Sequence, residues 1–189
     1  MAVTQNVIDN IHVGPGELVL TRVLGGSTIT STYSATDDGG VLRVSRALEY
    51  IEVAEVVGRA DSYIVGEEAS FEVMSLVQSA SLIREALGHG TVTTTAAATS
   101  ITGKDELGFG GSSALNQSSL KYRAARRNNP SLFIEIDLWR VVAATDIEKR
   151  YNKAGKTSYR VQFQALNDMS KSEGLRLGKI TIETALPTA

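Results

Sequence analysis

The sequence contains no cysteine, and only two histidines and three prolines in 189 residues. Without cysteine the chain can form no disulfide, thiol nucleophile or thiolate metal site. The histidines, His12 and His89, are far apart in sequence and show neither of the short spacings, HxH and HxxxH, that would suggest zinc ligands. A Ser-His-Asp triad would have to use one of them. We therefore predict no catalytic residue, metal or cofactor, and surface or turn positions for both histidines.

Long apolar runs are absent as well. A helix that spans a bilayer needs about 20 consecutive, predominantly apolar residues, and every apolar run here is only a few residues long. Residues 1–10 also lack the basic stretch followed by an apolar stretch that marks a secretory signal. We expect neither membrane insertion nor export. The chain length and the 42% of hydrophobic residues favour a single folded domain, residues 1–189.

Charge is distributed unevenly along the chain, although the net charge is only -2. Residues 1–110 contain six Lys or Arg and fourteen Asp or Glu, whereas residues 111–189 contain thirteen and seven. These opposite charges can cancel within one folded domain, or they can form opposite patches that attract neighbouring copies head to tail.

Two basic clusters in the second half are the one signal that suggests nucleic acid. They comprise Lys121, Arg123, Arg126 and Arg127, followed by Lys149, Arg150, Lys153 and Lys156. Tyr122 and Tyr151 lie within the clusters and could stack on bases. Basic residues that flank a hairpin turn are more often a solvated edge that discourages aggregation between strands, so we do not predict specific nucleic-acid recognition.

Alternation with period two predicts a mainly β domain with antiparallel sheets. In residues 131–142, the clearest case, one face carries Leu132, Ile134, Ile136, Leu138 and Val142. The other face carries Glu135 and Asp137 together with Phe133 and Trp139. We expect Phe133 and Trp139 in the core between sheets or at a subunit contact. Further strands are predicted at residues 17–23, 27–34, 47–57, 69–77, 120–126, 158–166 and 175–184.

One helix is predicted from the spacing of four apolar residues, Leu76, Ala80, Ile83 and Leu87. Ser75 or Ser79 can cap its start, and Gly88 can adopt the left-handed conformation at its end. We expect this apolar stripe to pack on a sheet, as a single helix flanking a sandwich or barrel-like β domain.

Three other segments are predicted to lie outside the regular elements. Residues 1–16 form an N-terminal arm, and the Thr/Ala/Gly-rich residues 89–119 form a long excursion with one Thr-rich strand. Residues 35–46 form a projecting loop, because consecutive Asp and Gly residues are strong turn formers and the apolar residues that follow are exposed for a neighbour to cover. The residues of this loop that we single out are Asp37, Asp38, Gly39, Gly40, Leu42 and Arg43.

Several short motifs, in this order along the chain, resemble those of the tail tube proteins, the major tail subunits of long-tailed bacteriophages. They are Val13–Leu20, with a glycine and proline turn before the first strand; Leu48–Val53 and Gly66–Val73, ahead of the single helix; and Val161–Asp168 and Gly174–Ile180, a closing strand pair around an Asp-containing turn. The resemblance implies a tail-tube-like β-sandwich or barrel with a flanking helix. It also implies a structural protein without an active site.

The same resemblance implies an assembly. Six copies close into a ring through continuous sheets, and stacked rings form a tube in the virion tail, made in the cytoplasm of the bacterial host. The implied partners are other copies, the tape measure, terminator and baseplate or tip proteins, and the sheath of a contractile tail, with DNA as non-specific transiting cargo. Residues 35–46 would then carry ring stacking. Glu49, Glu52 and Glu55 are candidate acids of the lumen, where negative charge would keep DNA from binding.

Two alternatives are open from the sequence. The chain can belong to a related tube-forming group, such as a secretion-system tube or a tail terminator. It can instead be a small β-barrel enzyme or a monomeric ligand-binding module.

Ring closure has separate physical support. Unpaired strand edges tend to aggregate, and pairing with a neighbouring copy removes this hazard.

Overall fold

The computed structural model describes residues 3–24, 27–33, 36–52, 59–75, 79–111, 115–126, 129–144 and 159–186. Within this part the chain is mainly β, with antiparallel pairing throughout and one helix, which confirms the predicted fold class. The elements are β1 (Val3–Val13), β2 (Gly16–Leu24), β3 (Ser27–Tyr33), β4 (Thr36–Glu52), β5 (Arg59–Ser75), α1 (Ala80–Leu87), β6 (Thr91–Thr95), β7 (Lys104–Gly108), β8 (Ser118–Arg126), β9 (Asn129–Ala143), β10 (Tyr159–Ala165) and β11 (Gly178–Ile182).

Nine of the strands form one sheet, and the other two form a separate hairpin. The order in the large sheet is β1-β4-β5-β10-β9-β8-β2-β3, and β11 pairs with β9 beyond the end of β10. The separate hairpin is β6–β7, which contains the predicted Thr-rich strand of residues 89–119. β1 and β3 therefore lie at the two ends of the large sheet.

The large sheet curls so that its two halves share one core. The rings of Phe71 in β5 and Tyr122 in β8 are 4.9 Å apart between centroids, although β10 and β9 separate these strands in the sheet. Buried side chains from β2, β3, β4, β5, β8, β9 and β10 contribute to the same cluster, and α1 adds Leu82 and Ala86. The fold is thus a sandwich or barrel-like layer around one core.

The alternation predicted for residues 131–142 is confirmed as far as Leu138. Leu132, Ile136 and Leu138 are buried. Beyond them the register of the β8–β9 pairing shifts. Ser118 pairs with Val141 and Leu120 pairs with Leu138, so β9 has one more residue than β8 between these two pairs. Such a β-bulge moves the following side chains to the other face. Val141 therefore enters the core in place of Val142, for which the prediction was wrong.

α1 begins after Ser79 and ends at Gly88, whose φ of 71° confirms the predicted left-handed C-terminal residue. The Ser79 side chain makes no capping hydrogen bond. The predicted apolar stripe is wrong in part. The buried residues of the helix are Leu82, Glu85 and Ala86, whereas Leu76 lies outside the described residues.

Glu85 is buried because two arginines neutralise its carboxylate. Its Oε1 lies 3.2 Å from a guanidinium nitrogen of buried Arg22 in β2 and 2.6 Å from one of Arg84. The Tyr33 hydroxyl donates to the Leu82 carbonyl oxygen, which joins β3 to the same helix. Burial raises the pKa of Tyr33 far above its usual value, and Tyr159 and Glu85 raise it further. Polar contacts therefore fix α1 on the β2–β3 end of the sheet.

Two segments predicted to lie outside the sheet belong to it. Residues 3–13 of the predicted N-terminal arm form β1, which pairs with β4. Residues 36–46 of the predicted projecting loop form the first part of β4, which pairs with β1 on one side and β5 on the other. The loop prediction is therefore wrong for these residues, and Leu42 lies in the core.

The glycines in this stretch serve a strand irregularity and a close contact rather than a loop. Gly39 has a φ of 83° and lies where the β4–β5 register shifts between Thr36 and Gly40, as glycine does in many β-bulges. A Cβ built on Gly40 would lie 2.3 Å from Cζ of Phe71. Gly40 therefore leaves room for the buried Phe71 ring.

Gly40→Ala should destabilise the fold by about 1–3 kcal/mol, because the added methyl group overpacks the core against Phe71. Gly66→Ala is the matched control, since a Cβ there meets only the Ala47 Cβ at 3.9 Å. Urea unfolding followed by circular dichroism measures both. Equal stability of Gly40→Ala and the parent would contradict the close contact.

Glu85→Gln should cost about 3–5 kcal/mol, because it leaves the buried charge of Arg22 without its counter-charge. The control is Glu106→Gln, which removes the carboxylate of the exposed Lys104–Glu106 pair and should change stability by no more than about 1 kcal/mol. Thermal unfolding of the two variants provides the comparison. A similar small effect for both would show that the Arg22–Glu85 pair does not stabilise the docked helix.

Candidate functional site

The two end strands of the large sheet each present an edge that no strand in the described part of the chain covers. β3 reads STITSTY and, among these described strands, pairs only with β2, through Leu18↔Tyr33 to Leu24↔Ser27. It contains no lysine, arginine or proline, the residues with which proteins commonly block edge strands, and no register shift interrupts its pairing. The β3 edge is therefore open to another strand.

β1 has the same character at the opposite end of the sheet. Its 11 residues, VTQNVIDNIHV, include one acid, Asp9, and no lysine, arginine or proline. Eleven consecutive residues pair with β4 without a shift, from Val3↔Tyr50 to Val13↔Gly40. A regular ladder of this length leaves a matching row of backbone groups on the outer side.

β4 and β5 extend beyond the core as a long hairpin. We name residues 47–52 and 59–68 the distal hairpin. Core packing ends near Val44 and Ala69, and every side chain described from Asp61 to Glu68 is exposed. Tyr63, Ile64 and Val65 are about half exposed although they are large and apolar. Contiguous exposed apolar residues commonly mark an interaction surface.

The pairing register gives one side of the distal hairpin an acidic character. Ser45 pairs with Glu68, Glu49 with Tyr63, and Ile51 with Asp61, and directly paired residues share a face. We name this side the acidic face: Glu49, Ile51, Asp61, Tyr63 and Glu68. The Tyr63 hydroxyl donates to the Glu49 carboxylate, and this bond raises the pKa of Tyr63.

A second charged surface covers the outward side of β2, β8, β9 and β11. We name it the outer face: Val19, Thr21, Ser119, Lys121, Arg123, Phe133, Glu135, Asp137, Trp139 and Lys179. Asp137 lies in its centre, with the Nζ atoms of Lys121 and Lys179 each 3.5 Å from its carboxylate oxygens. The side chains of these lysines are 52% and 49% exposed, whereas that of Asp137 is 9% exposed. Lys121 Nζ also lies 3.0 Å from Glu135 Oε1, so the charges of this face are largely paired with one another.

Phe133 and Trp139 lie on the outer face rather than in the core, so the core alternative predicted for them is wrong. Their positions in β9 alternate with the buried residues, which places them outward. The Arg123 guanidinium lies 3.8 Å from the Phe133 ring centroid. The Trp139 indole N–H donates to the Leu175 carbonyl oxygen at 2.7 Å, and Lys171 lies over the ring at 4.7 Å. A subunit contact stays a prediction for both.

The other predicted site residues divide between the first part of β4 and the distal hairpin. Asp37, Asp38, Gly39, Gly40, Leu42 and Arg43 all lie in β4, before the distal hairpin begins. Glu49 and Glu52 lie in the distal hairpin, and Glu55 lies outside the described residues. Sequence reasoning missed the central position of Asp137 and the joint face of Ile51 and Tyr63, because both depend on strand register.

The part of the chain that is described contains neither a metal-binding cluster nor a membrane-spanning helix. No group of three or more His, Asp or Glu side chains there could hold a metal ion. His89 contacts the Leu87 carbonyl oxygen through Nδ1 at 2.9 Å, in the turn after α1. Among the same residues no helix is long and apolar enough to cross a membrane.

Comparison with models of known protein families gives no match, and neither does comparison with curated protein sequences. The resemblance to tail tube proteins therefore stays a prediction from the short motifs. The surfaces that the structure itself provides are two open sheet edges, the distal hairpin and the outer face.

Trp139→Ala should cost about 1–2 kcal/mol, because the ring is only partly buried on the outer face and the substitution opens no cavity in the core. Phe71→Ala is the buried reference and should cost about 3–5 kcal/mol. Urea unfolding of both variants is followed by far-ultraviolet circular dichroism, because Trp139→Ala removes the only tryptophan and with it the fluorescence signal. An equal loss in both would place Trp139 in the core.

Proposed function

We propose that the chain is a structural protein that assembles with copies of itself into the tail tube of a long-tailed bacteriophage. Copies join edge to edge into hexameric rings, and the rings stack into a hollow conduit through which DNA passes as non-specific cargo. The proposal implies a place in the virion tail, together with the tape measure, terminator and tip proteins. The order of motifs along the sequence and the mainly β fold with one helix support it.

One observation supports this proposal most directly: within the described residues, no strand covers the outer edge of β1 or of β3 at the two ends of the large sheet. Monomeric β proteins usually block such edges, because exposed backbone groups pair with other chains. Here the two edges belong to different strands, so β3 of one copy can pair with β1 of the next. A head-to-tail contact of this kind forms a closed ring when its rotation closes.

A related tube, such as that of a secretion system, would use the same edges. Ring spacing and the proteins bound at the tube ends distinguish these assemblies, and electron microscopy measures both. The proposal also includes the prediction that Glu49, Glu52 and Glu55 line the lumen. An image of the assembled ring would show whether these residues face its central channel.

Purified protein at high concentration should form rings or tubes, and Thr28→Lys with Thr30→Lys should prevent them. Both threonines are exposed on β3, and lysine on an edge strand opposes pairing with a second chain. Thr91→Lys with Thr93→Lys places the same charges on exposed positions of β6 and is the control. Negative-stain microscopy scores the assemblies, and sedimentation velocity measures the monomer.

Two outcomes would count against the proposal. If sedimentation velocity gives a single monomer boundary for the parent at every protein and salt concentration, the protein does not self-assemble and the proposal is wrong. Rings from the Thr28→Lys, Thr30→Lys variant that match those of the parent would show that the β3 edge does not close them.

A further inference from the structure

A further open edge lies inside the large sheet, where β10 ends. β10 pairs with β5 as far as Ser70 and with β9 as far as Val141. Beyond it, β11 takes the place beside β9 and pairs with no second strand in the described part of the chain. β5 and β11 therefore separate and leave a gap between two strand edges.

The backbone groups of β11 that face this gap follow from its bonds to β9. The backbone N–H of Trp139 donates to the Leu177 carbonyl oxygen at 3.2 Å, and that of Glu183 donates to the Phe133 carbonyl oxygen at 3.0 Å. In an antiparallel ladder, alternate residues bond to the partner strand. The even-numbered residues between Leu177 and Glu183 therefore direct their backbone groups away from β9 and into the gap: Gly178, Ile180 and Ile182.

The side chains of the two isoleucines lie on the core side of β9. Ile180 pairs with the buried Ile136 and Ile182 pairs with Ile134, and directly paired residues share a face. Yet Ile180 and Ile182 are 41% and 53% exposed. The apolar side of the sheet is therefore left uncovered along the β11 edge.

A pocket of about 210 Å³ lies between β11 and the β4–β5 side of the core. Its apolar walls are Leu42, Val44 and Ala69 on one side and Leu138, Leu177 and Ile180 on the other. An apolar cavity of about 150 Å³ is large enough to bind benzene. The pocket can therefore hold one aromatic side chain of a segment that lies in the gap.

Most charges beside the pocket are already paired within the chain. Arg46 Nε donates to the Glu67 carboxylate at 3.0 Å. On the outer face, Lys179 and Lys121 share Asp137, and Lys121 also pairs with Glu135. An occupant therefore needs uncharged side chains where it crosses the pocket.

The distal hairpin adds negative charge at one end of the gap. It contains five acidic residues and one basic residue, and Arg46 beside it offsets one more. β5 and β9 both run antiparallel to β10, so they run parallel to each other. The Ile182 end of β11, opposite Ile134, therefore lies on the side of the distal hairpin. Basic residues at that end of an occupant would meet opposite charge.

We propose that this gap binds an extended segment of another polypeptide by strand addition to β11. The segment would pair antiparallel, with basic residues first, apolar side chains over Ile182 and Ile180, and an aromatic side chain in the pocket beside Gly178. In strand addition, main-chain hydrogen bonds supply affinity and pockets for alternate side chains supply specificity.

A second copy of this chain does not offer such a segment from its described strands. Residues 160–163 and 179–182 have the required order of one basic residue and alternating apolar residues. Both lie in strands of the large sheet, so a copy would have to unfold to supply either. The occupant is therefore a different polypeptide, and the gap is present in a single copy whether or not copies assemble.

A labelled synthetic peptide tests the site, with the sequence Lys-Lys-Val-Thr-Val-Thr-Phe. Fluorescence polarisation measures its binding to the parent protein at a concentration where sedimentation shows only monomer, and we expect saturable binding. Replacement of its Phe by Ala should weaken binding by about tenfold or more, because the pocket then stays empty. The scrambled control, Lys-Lys-Val-Val-Phe-Thr-Thr, loses the alternation and should not bind.

Variants of the protein separate the edge from the pocket. Ile180→Pro removes an N–H that faces the gap and none that bonds to β9, a position where an edge strand tolerates proline. It should abolish binding, whereas the control Ile180→Val should bind like the parent. Val44→Phe fills the pocket from β4 and should abolish the preference for the Phe peptide over the Ala peptide.

Amide exchange measured by NMR locates the peptide without any substitution, and it decides the matter if Ile180→Pro does not fold. The amides of Ile180 and Ile182 should exchange rapidly in the free protein and slowly in the presence of the peptide. The Thr181 amide, which faces β9, should exchange slowly in both.

Three results would overturn the proposal. One is equal binding of the parent and scrambled peptides. Another is peptide binding that leaves the Ile180 and Ile182 amides unprotected. The third is protection of these amides at high protein concentration without peptide, which would assign the gap to a second copy. Each would leave the proposed tube function standing, and a parent that never assembles would leave the peptide site standing.

Discussion

The curling of one nine-stranded sheet around a single core is the constraint on which the rest of the structure depends. Phe71 and Tyr122 meet across this core from strands that are not neighbours in the sheet. Gly40 must lack a side chain for the Phe71 ring to fit. Once the sheet has curled in this way, its inner side is filled with apolar residues, and every other side chain of each strand must point outward.

This arrangement separates stability from interaction. The inner side holds the apolar cluster, and the Arg22–Glu85 pair with Tyr33 docks the helix at one end. The outer side holds Asp137 beneath two lysines, with the partly buried Trp139 beside them. The side chains of Lys121 and Lys179 are about half exposed, so water screens their attraction to Asp137.

Two features of the sheet are energetically unfavourable in an isolated copy. No strand in the described part of the chain covers the outer edges of β1 and β3, whose backbone groups can pair with other chains. The distal hairpin exposes Tyr63, Ile64 and Val65 to water. A chain that works as a monomer gains nothing from either feature. In the assembly that we propose, pairing with a neighbouring copy would satisfy the backbone groups at both edges.

The sequence by itself determined the fold class, most strands and the position of the helix, because period-two alternation and terminal glycine are local signals. It could not place Gly40, since consecutive Asp and Gly residues form a turn or a strand irregularity according to what packs against them, and here Phe71 does. Nor could it place Val141 in the core, because a bulge in β9 shifts the alternation by one residue. The outward position of Trp139, the burial of Glu85 against Arg22 and the joint face of Ile51 and Tyr63 were decided by tertiary structure alone. Each depends on which distant strand lies opposite, and a single strand's periodicity carries no information about its partner.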